Sequence, residues 1–257
     1  MTAPLHADSL REAVLGGLWT SVEVEGTTGS TNADLLERGG PEGQVLVAEE
    51  QTAGRGRMGR SWVSQPGASL TFSVLLRPVS VPAARRGWLP LLAGVAVATA
   101  VSAVAAVVAT LKWPNDVLID DRKLAGILAE QSGDAVVIGI GINVATPAGA
   151  LPVPAATSLL VEGSDVAREP LLAEILRSFE RWYAPFREDP DPSRTGLLDE
   201  YRTLCATLGR SVRVELPGNR QLTGIAEDID TDGSLLIREP DATSVTPISA
   251  GDIIHLR

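Results

Sequence analysis

From Leu89 to Leu111 the chain runs for 23 residues without a charged side chain. Such a run is long enough to span a bilayer; otherwise it must be wrapped by the rest of one core. Its composition favours the second reading. Ala and Val dominate, and Pro90, Gly94, Thr99, Ser102 and Thr110 interrupt it, whereas strong spans are built from Leu, Ile and Phe. Strand-like segments flank it. The expectation is a buried helix or helix pair, with no membrane partner. The whole chain, 257 residues with 44% hydrophobic and 21% charged content, can bury one substantial core and a smaller second one, and extended disorder is disfavoured.

Acid exceeds base, 32 Asp and Glu against 22 Lys and Arg, for a formal charge of −10. That balance disfavours duplex DNA, whose phosphates need a basic surface. Cys205 is the single cysteine, so an intrachain disulfide and a cysteine zinc cluster are excluded; its simplest role is a small apolar residue on a helix. No basic segment followed by an apolar run opens the chain, so no signal peptide is read and a cytoplasmic location is expected. Twenty of the 22 basic residues are arginine. The two lysines, Lys112 and Lys123, lie eleven apart, which hints at places where a compact ammonium is needed in preference to a planar fork.

The stretch Gln51-Thr-Ala-Gly-Arg-Gly-Arg-Met-Gly-Arg-Ser-Trp62 sets Gly54, Gly56 and Gly59 beside Arg55, Arg57 and Arg60. Glycines let backbone N–H groups approach a ligand, and guanidinium forks suit carboxylate and phosphate oxygens. A loop over a small anion is one reading; a soluble surface loop is the other.

Along the chain, residues 8–15 read as an amphipathic helix and Trp19–Val24 as a strand. Ser30 or Thr31 is a plausible helix N-cap, with Asp34 in the first turn and Gly39-Gly40 as the stop; a helix N-terminus also suits a polar ligand group. Val45–Ala48 and the alternating Ser69–Leu76 read as strands on either side of the Gly-Arg loop, an arrangement with fixed ends and a mobile middle. Lys112 to Ile119 and Lys123 to Leu128 read as a hairpin about Asp120-Asp121, and Asp134–Asn143 as a further strand. Residues 145–156 are a loop. Helical spacing follows at Arg168–Trp182 and Leu197–Leu208, separated by the Pro-rich segment 185–192. Five short β-like runs at 211–216, 221–227, 234–238, 244–248 and 253–256, with turns at Pro217-Gly218-Asn219 and Asp232-Gly233, predict a small barrel. The domains expected are 1–207 and 208–257.

Taken together, Ser30-Thr31-Asn32, Gln51-x-x-Gly-Arg-Gly-Arg-x-Gly-Arg-x-Trp62, Lys112-Trp-Pro-Asn-Asp116, Lys123-Leu-Ala-Gly-Ile-Leu128 and Gly139-x-Gly-x-Asn143 resemble the biotin protein ligase family over nearly the whole chain. The resemblance implies an α+β fold: a mixed sheet flanked by helices, like that of class II aminoacyl-tRNA synthetases, plus a C-terminal SH3-like β-barrel. Bifunctional members carry an N-terminal winged helix ahead of the Ser-Thr-Asn motif; only 29 residues precede Ser30 here, so the monofunctional class is the expectation.

The implied chemistry has two steps. Biotin and ATP with Mg²⁺ give biotinyl-5′-AMP, which then acylates a lysine of the biotin carboxyl carrier protein or domain of an acyl-CoA carboxylase. A carboxylate attacking an α-phosphate needs cations to offset repulsion, and Arg55, Arg57, Lys112 and Lys123 are candidates. By resemblance Lys123 meets the biotin carboxylate and the adenylate phosphate, Arg57 closes over that phosphate, and Lys112 contacts the triphosphate. The biotin site is expected from Ser30, Thr31, Asn32, Gln51, Gly54, Arg55, Gly56, Arg57, Lys123 and Gly126. The nucleotide is expected against Arg57, Trp62, Lys112, Asn115 and Asn143, with Trp113 as a pocket wall or a packed core aromatic. Asp116 assists metal binding or carrier attack on this resemblance, or caps a turn. The rival enzyme is a lipoate–protein ligase, whose Arg-Arg-x-Ser-Gly-Gly loop is absent; a non-catalytic biotin-binding regulator is the rival from another class.

Overall fold

The computed structural model describes residues 3–216, 218 and 220–256. A short helix (α1, Ala7–Val14) leads to strand β1 (Ser21–Thr28), helix α2 (Thr31–Arg38) and strand β2 (Gln44–Gln51). After the Gly-Arg loop come β3 (Ser69–Leu76), the long helix α3 (Trp88–Ala105), and the strands β4 (Thr110–Lys112), β5 (Asp116–Ile119), β6 (Arg122–Ser132) and β7 (Ala135–Asn143). These strands form one seven-stranded sheet in the order β1-β2-β3-β7-β6-β5-β4. Its β1–β2 pair is parallel and every other pair antiparallel, so the sheet is mixed.

Alternation along the strands gives the sheet two unlike faces, since successive residues point to opposite sides. Leu70, Phe72 and Val74 of β3, with Ile138, Ile140 and Ile142 of β7 and Ala125 and Ile127 of β6, enter the main core. The intervening positions Thr71 and Ser73, Gly139, Gly141 and Asn143, and Gly126 and Leu128 are small or polar for the most part. In register Thr71 faces Gly141, which faces Gly126, while Ser73 faces Gly139, which faces Leu128. α2 covers one end of this second face through a separate apolar cluster of Leu35, Leu46, Leu75 and Val137. Hence β3 is buried at all eight positions, where strict alternation had implied one wet side.

The uncharged stretch is resolved as helix followed by strand. The helical segment Ala83–Ala105 has the length and apolarity to cross a bilayer, but 72% of its most apolar window is buried inside the molecule. α3 packs on the sheet, on α4 (Arg168–Glu188) and on α5 (Leu197–Leu204). It ends at Ala106, left-handed at φ 55°, so Thr110 and Leu111 join β4 and no second helix forms. α4 also runs further than the sequence implied, through Pro185 to Glu188, while α5 stops at Leu204. The β5–β6 turn has Asp120 and Asp121 both at positive φ, 47° and 62°, the geometry of a type I′ hairpin.

β8 (Ser211–Leu216), β9 (Arg220–Ile229), β10 (Leu235–Arg238), β11 (Thr246–Ile248) and β12 (Asp252–His255) form a second, antiparallel sheet in the order β11-β10-β9-β8-β12. The Asp232-Gly233 turn is present, its Asp230 carboxylate accepting from the Asp232 and Ser234 amides. Of the expected Pro217-Gly218-Asn219 turn, Pro217 and Asn219 lie outside the described residues. The second sheet shares the main core through Val212, Val214, Ile237 and Ile253. Trp88 and Trp113 donate across the boundary to the carbonyls of Thr231 and Gly233.

Arg168, at the start of α4, is only 2% exposed and fixes both stems of the Gly-Arg loop. Its guanidinium meets Glu49 near the end of β2 at 2.5 and 3.2 Å, and the carbonyl of Ser69 at the start of β3 at 3.3 Å. Burial alone would raise the Glu49 carboxyl, but the Arg168 hydrogen bond and charge and the Leu5 amide outweigh it and hold it below its ordinary value. The pair therefore stabilises the fold fully at neutral pH, and its contribution is lost as pH falls below the usual carboxylate range of about 4. Glu49→Gln leaves a buried cation unpaired and is expected to cost about 3–5 kcal/mol, with a flatter loss of stability between pH 6 and pH 3 than the parent chain. Chemical denaturation across that range checks both effects.

Candidate active site

On the small and polar face of the first sheet lies a cavity of about 330 Å³. Ser30, Thr31 and Asn32 enter it from the start of α2, and Gln51 from the end of β2. Arg55, Gly56, Arg57 and Trp62 come from the loop, and Asn115, Asp116, Lys123, Gly126 and Asn143 from β5–β7 and the turn before β5. Thirteen residues read from sequence as binding or catalytic thus line one space. Two do not. Lys112 stands behind Asp116, its partner in the β4–β5 register. Gly54 works from outside: a Cβ there would strike the Trp62 carbonyl and come within 2.9 Å of Gln51 Nε2.

Capping does not account for Ser30 and Thr31. Ser30 occupies the N-cap position of α2 without a side-chain capping bond. The Thr31 amide donates to Gln51 Oε1 at 2.8 Å, and the Thr31 hydroxyl lies 3.0 Å from that same oxygen and 2.6 Å from Ser73 Oγ. With Oε1 engaged, Gln51 Nε2 makes no hydrogen bond among the described residues and faces the cavity as a donor. Thr71, also lining it, is buried with its hydroxyl unpartnered among the described residues. A buried polar atom of this kind is costly unless a ligand or water completes it.

The floor is a track of glycines. A Cβ on Gly141 would overlap the Trp62 indole, one on Gly139 the Asn32 amide, and one on Gly126 would lie 3.3 Å from both Trp62 and Lys123. Absent side chains let a flat group rest on the sheet, and here Trp62 rests there, its Nε1 buried without a partner among the described residues.

Cations surround the rest. Arg55, Arg57, Arg60 and Lys123 line the cavity against a single acidic residue, Asp116, in a chain of net charge −10. Lys123 Nζ contacts Asp116 Oδ1 at 2.6 Å. Arg57 donates to Asn115 Oδ1 at 3.0 Å and to the Gly251 carbonyl at 3.2 Å. Arg60 pairs with Asp252 at 2.8 Å, so the loop is pinned to the second sheet. Burial pulls the Arg57 and Lys112 pKa values down; Asp252 opposes this at Arg57, and Asp116 opposes it at Lys112, where Lys123 adds to the fall. A second cavity of about 460 Å³ adjoins the first at Arg57 and Asn115 and reaches Asp232–Ser234. Trp113 lines that neighbouring space, buried and bonded to Gly233, as a packed aromatic and not as a wall of the first cavity.

Residues 24–144 match the Biotin/lipoate A/B protein ligase family, and 207–256 match the Biotin protein ligase C terminal domain. The chain is 44% identical to the biotin–[acetyl-CoA-carboxylase] ligase of Mycobacterium tuberculosis, over 99% of this chain and 97% of that protein. It belongs to the biotin protein ligase family. It is also 34% identical to the bifunctional ligase/repressor BirA of Bacillus spizizenii, over 95% of this chain and 76% of that protein. The Aquifex aeolicus biotin protein ligase solved with biotin and ATP superposes with a TM-score of 0.79 at 30% identity, covering 93% of this chain and all of that one.

Several residues of this ligase site escape a motif reading. Thr71 and Ser73 were visible only as the alternate positions of a strand, and Glu130 as a position two beyond Leu128 on the same face. Gly251 and Asp252 meet the loop by tertiary contact alone. The glycine track gives a direct test. Gly141→Ala is expected to lift the Trp62 indole off the sheet, at a cost of about 1–3 kcal/mol for overpacking, read as a fluorescence change that disappears in a Trp62→Phe background. Gly26→Ala, where nothing lies within 4 Å, should change neither signal; equal effects at the two glycines would refute the assignment.

Proposed function

We propose that this ligase carries out both half-reactions over the β6–β7 face, with the residues of the cavity in the following roles. The observation that carries the reading is the convergence of four cations on one glycine-floored pocket that also presents an unpaired donor and hydroxyl oxygens. Biotin has a urea at one end and a carboxylate at the other. Gln51 Nε2 suits the urea carbonyl, and the Ser30, Thr31 and Thr71 hydroxyls suit its remaining edge. The valerate chain lies along the glycine track, which leads toward Lys123.

In the first step a carboxylate oxygen of biotin bonds to the α-phosphorus of ATP, and the bond to the bridging oxygen breaks as pyrophosphate departs. Lys123 offsets the two negative charges as they close, Arg57 covers the α-phosphate, and Lys112, behind Asp116 and outside the cavity lining, adds positive charge toward the departing phosphates. Trp62 and Asn143 bound the adenine, with Asn115 holding Arg57 in reach. Such alignment and charge compensation supply most of the acceleration in phosphoryl chemistry. In the second step the amine of a carrier lysine bonds to the acyl carbon and AMP leaves; Asp116 is placed to accept the proton lost by that amine. The carrier proposed is the biotin carboxyl carrier protein or domain of an acyl-CoA carboxylase.

Mg²⁺ fits this site as a companion of the nucleotide. No cluster of three His, Cys, Asp or Glu exists among the described residues, and Mg²⁺ commonly needs only one or two carboxylates besides substrate phosphates. Asp116 would hold it, and the ion would supply further charge neutralisation on the phosphates. The proposed division into a catalytic part, 1–207, and an SH3-like barrel, 208–257, is supported by β8–β12 pairing only with one another among the described residues. The lone Cys205 suits a reducing compartment, and the cytoplasm is the proposed location.

Biotin-dependent exchange of pyrophosphate into ATP, with lipoate as the control, tests the reading; exchange with lipoate alone would transfer it to the rival ligase. Lys123→Ala is expected to lower exchange by at least about a hundredfold, the scale of removing one charge-stabilising donor. Near-normal exchange would remove Lys123 from its role. Arg57→Gly is expected to keep forming biotinyl-5′-AMP but to release it into solution, measurable by chromatography of the filtrate. Retention equal to that of the parent chain would show that Arg57 is not the seal.

A further inference from the structure

Lys112 ends β4, and the backbone beyond it leaves the sheet. Leu111 still has a neighbour: it pairs in parallel with Cys205, its carbonyl accepting from the Ala206 amide at 2.8 Å. Two residues on, the Trp113 amide donates to a side chain, the hydroxyl oxygen of Thr207, at 3.2 Å. Trp113 is 2% exposed and Thr207 0%. A buried amide that loses such a partner has no water to replace it.

The second sheet meets the same hydroxyl from the other side. His255, the last residue of β12, places Nε2 3.1 Å from Thr207 Oγ1 and Nδ1 3.2 Å from an Arg210 nitrogen. A guanidinium only donates, so Nδ1 accepts. Burial first, then Lys112 and Arg210, against the opposing Asp121, pull the imidazole pKa down to about 4. A neutral ring that accepts at Nδ1 carries its hydrogen on Nε2, and that hydrogen goes to Thr207. Thr207 Oγ1 thus accepts from Trp113 and from His255. The same Arg210 nitrogen donates to Asp121 at 2.8 Å, in the turn of the hairpin that carries Asp116 and Lys123.

We infer that His255 is a positioning residue for Lys112: by holding Thr207 it fixes the strand end from which that ammonium is presented to the nucleotide. This rests on the proposed role of Lys112 toward the departing phosphates. A lysine stem is long and flexible, and Asp116, opposite Lys112 in register, is already bonded to Lys123, so the strand end sets where the ammonium can reach. Thr31 and Gln51, assigned to the urea, stand on α2 and β2, and among the described residues no hydrogen bond links them to this junction. Loss of His255 therefore falls on the nucleotide and spares biotin.

Pyrophosphate exchange with ATP varied at saturating biotin, beside calorimetric titration with biotin alone, tests the inference. His255→Leu is expected to raise the KM for ATP about fivefold or more, the scale of one hydrogen bond, with the biotin Kd kept within about twofold. His255→Gln, which retains a neutral donor toward Thr207, should restore the KM to within about twofold of the parent chain. Thr207→Val removes the hydroxyl and should reproduce the KM rise, which decides the matter should His255→Leu not fold. A KM unchanged in both variants, or a biotin Kd weakened as much as the KM is raised, would overturn the inference. So would a His255→Gln chain no better than His255→Leu. Lys112→Ala separates the two levels: a raised KM there with none in His255→Leu or Thr207→Val removes His255 and leaves the role of Lys112 standing. An unchanged KM in Lys112→Ala removes both.

Discussion

A single buried guanidinium holds the two stems of the Gly-Arg loop. Arg168 reaches from α4 to Glu49 on β2 and to the Ser69 carbonyl on β3, so the seventeen positions between Gln51 and Ser69 begin and end on fixed points. A charge this deeply buried is tolerable only with its partners in place, which makes the spacing of the stems an all-or-none property of the fold. The loop itself can then be rich in glycine without losing its address. Its arginines reach the same cavity because both stems of the loop are held.

The second constraint is the two-faced sheet. Large β-branched and aromatic side chains on one side pack under α3 and α4, and the same strands turn Thr, Ser, Gly and Asn to the other. A strand face without bulk would ordinarily weaken a sheet. Here the cost is offset because α2, Trp62 and the polar network of Thr31, Asn32 and Ser73 cover it. The binding surface is therefore made by what the central strands omit as much as by what they carry.

That division explains what was legible in the sequence. The uncharged run, the hairpin of Lys112 and Lys123, the alternating β3 and the short C-terminal strands depend on local pattern, and their placement followed the pattern closely. The site residues were legible because their chemistry is concentrated in short stretches, and thirteen of the fifteen named as binding or catalytic, all but Lys112 and Gly54, line one cavity. Arg168 could not be singled out among twenty arginines, since its importance lies in burial. Asp252 and Gly251 meet the loop across more than 190 positions of sequence. Pro185 misled because a proline ends a helix only when the lost hydrogen bond matters, and here α4 continues for three more residues. Trp113 illustrates a competing outcome, for its indole found a carbonyl in the second sheet and became core.

The resting contacts of the loop also argue for the kind of ligand it awaits. Arg57 is held by an amide oxygen and a backbone carbonyl, both neutral, in surroundings that already disfavour its charge. Hydrogen bonds to ionised acceptors are roughly twice as strong as neutral ones, so a phosphate oxygen entering the cavity outcompetes both partners. Arg60 behaves differently, because Asp252 already satisfies it with a charge, and an anion gains less by displacing that bond. Lys123 likewise starts from a carboxylate partner, Asp116, and yields it only to a ligand that brings comparable negative charge close. On the proposed roles the two residues respond to different events: a biotin carboxylate competes with Asp116 for Lys123, whereas a phosphate draws Arg57 off its neutral acceptors. Under that proposal the loop exchanges neutral partners of Arg57 for a charged one when the adenylate forms, and the gain falls on the intermediate that water would otherwise destroy.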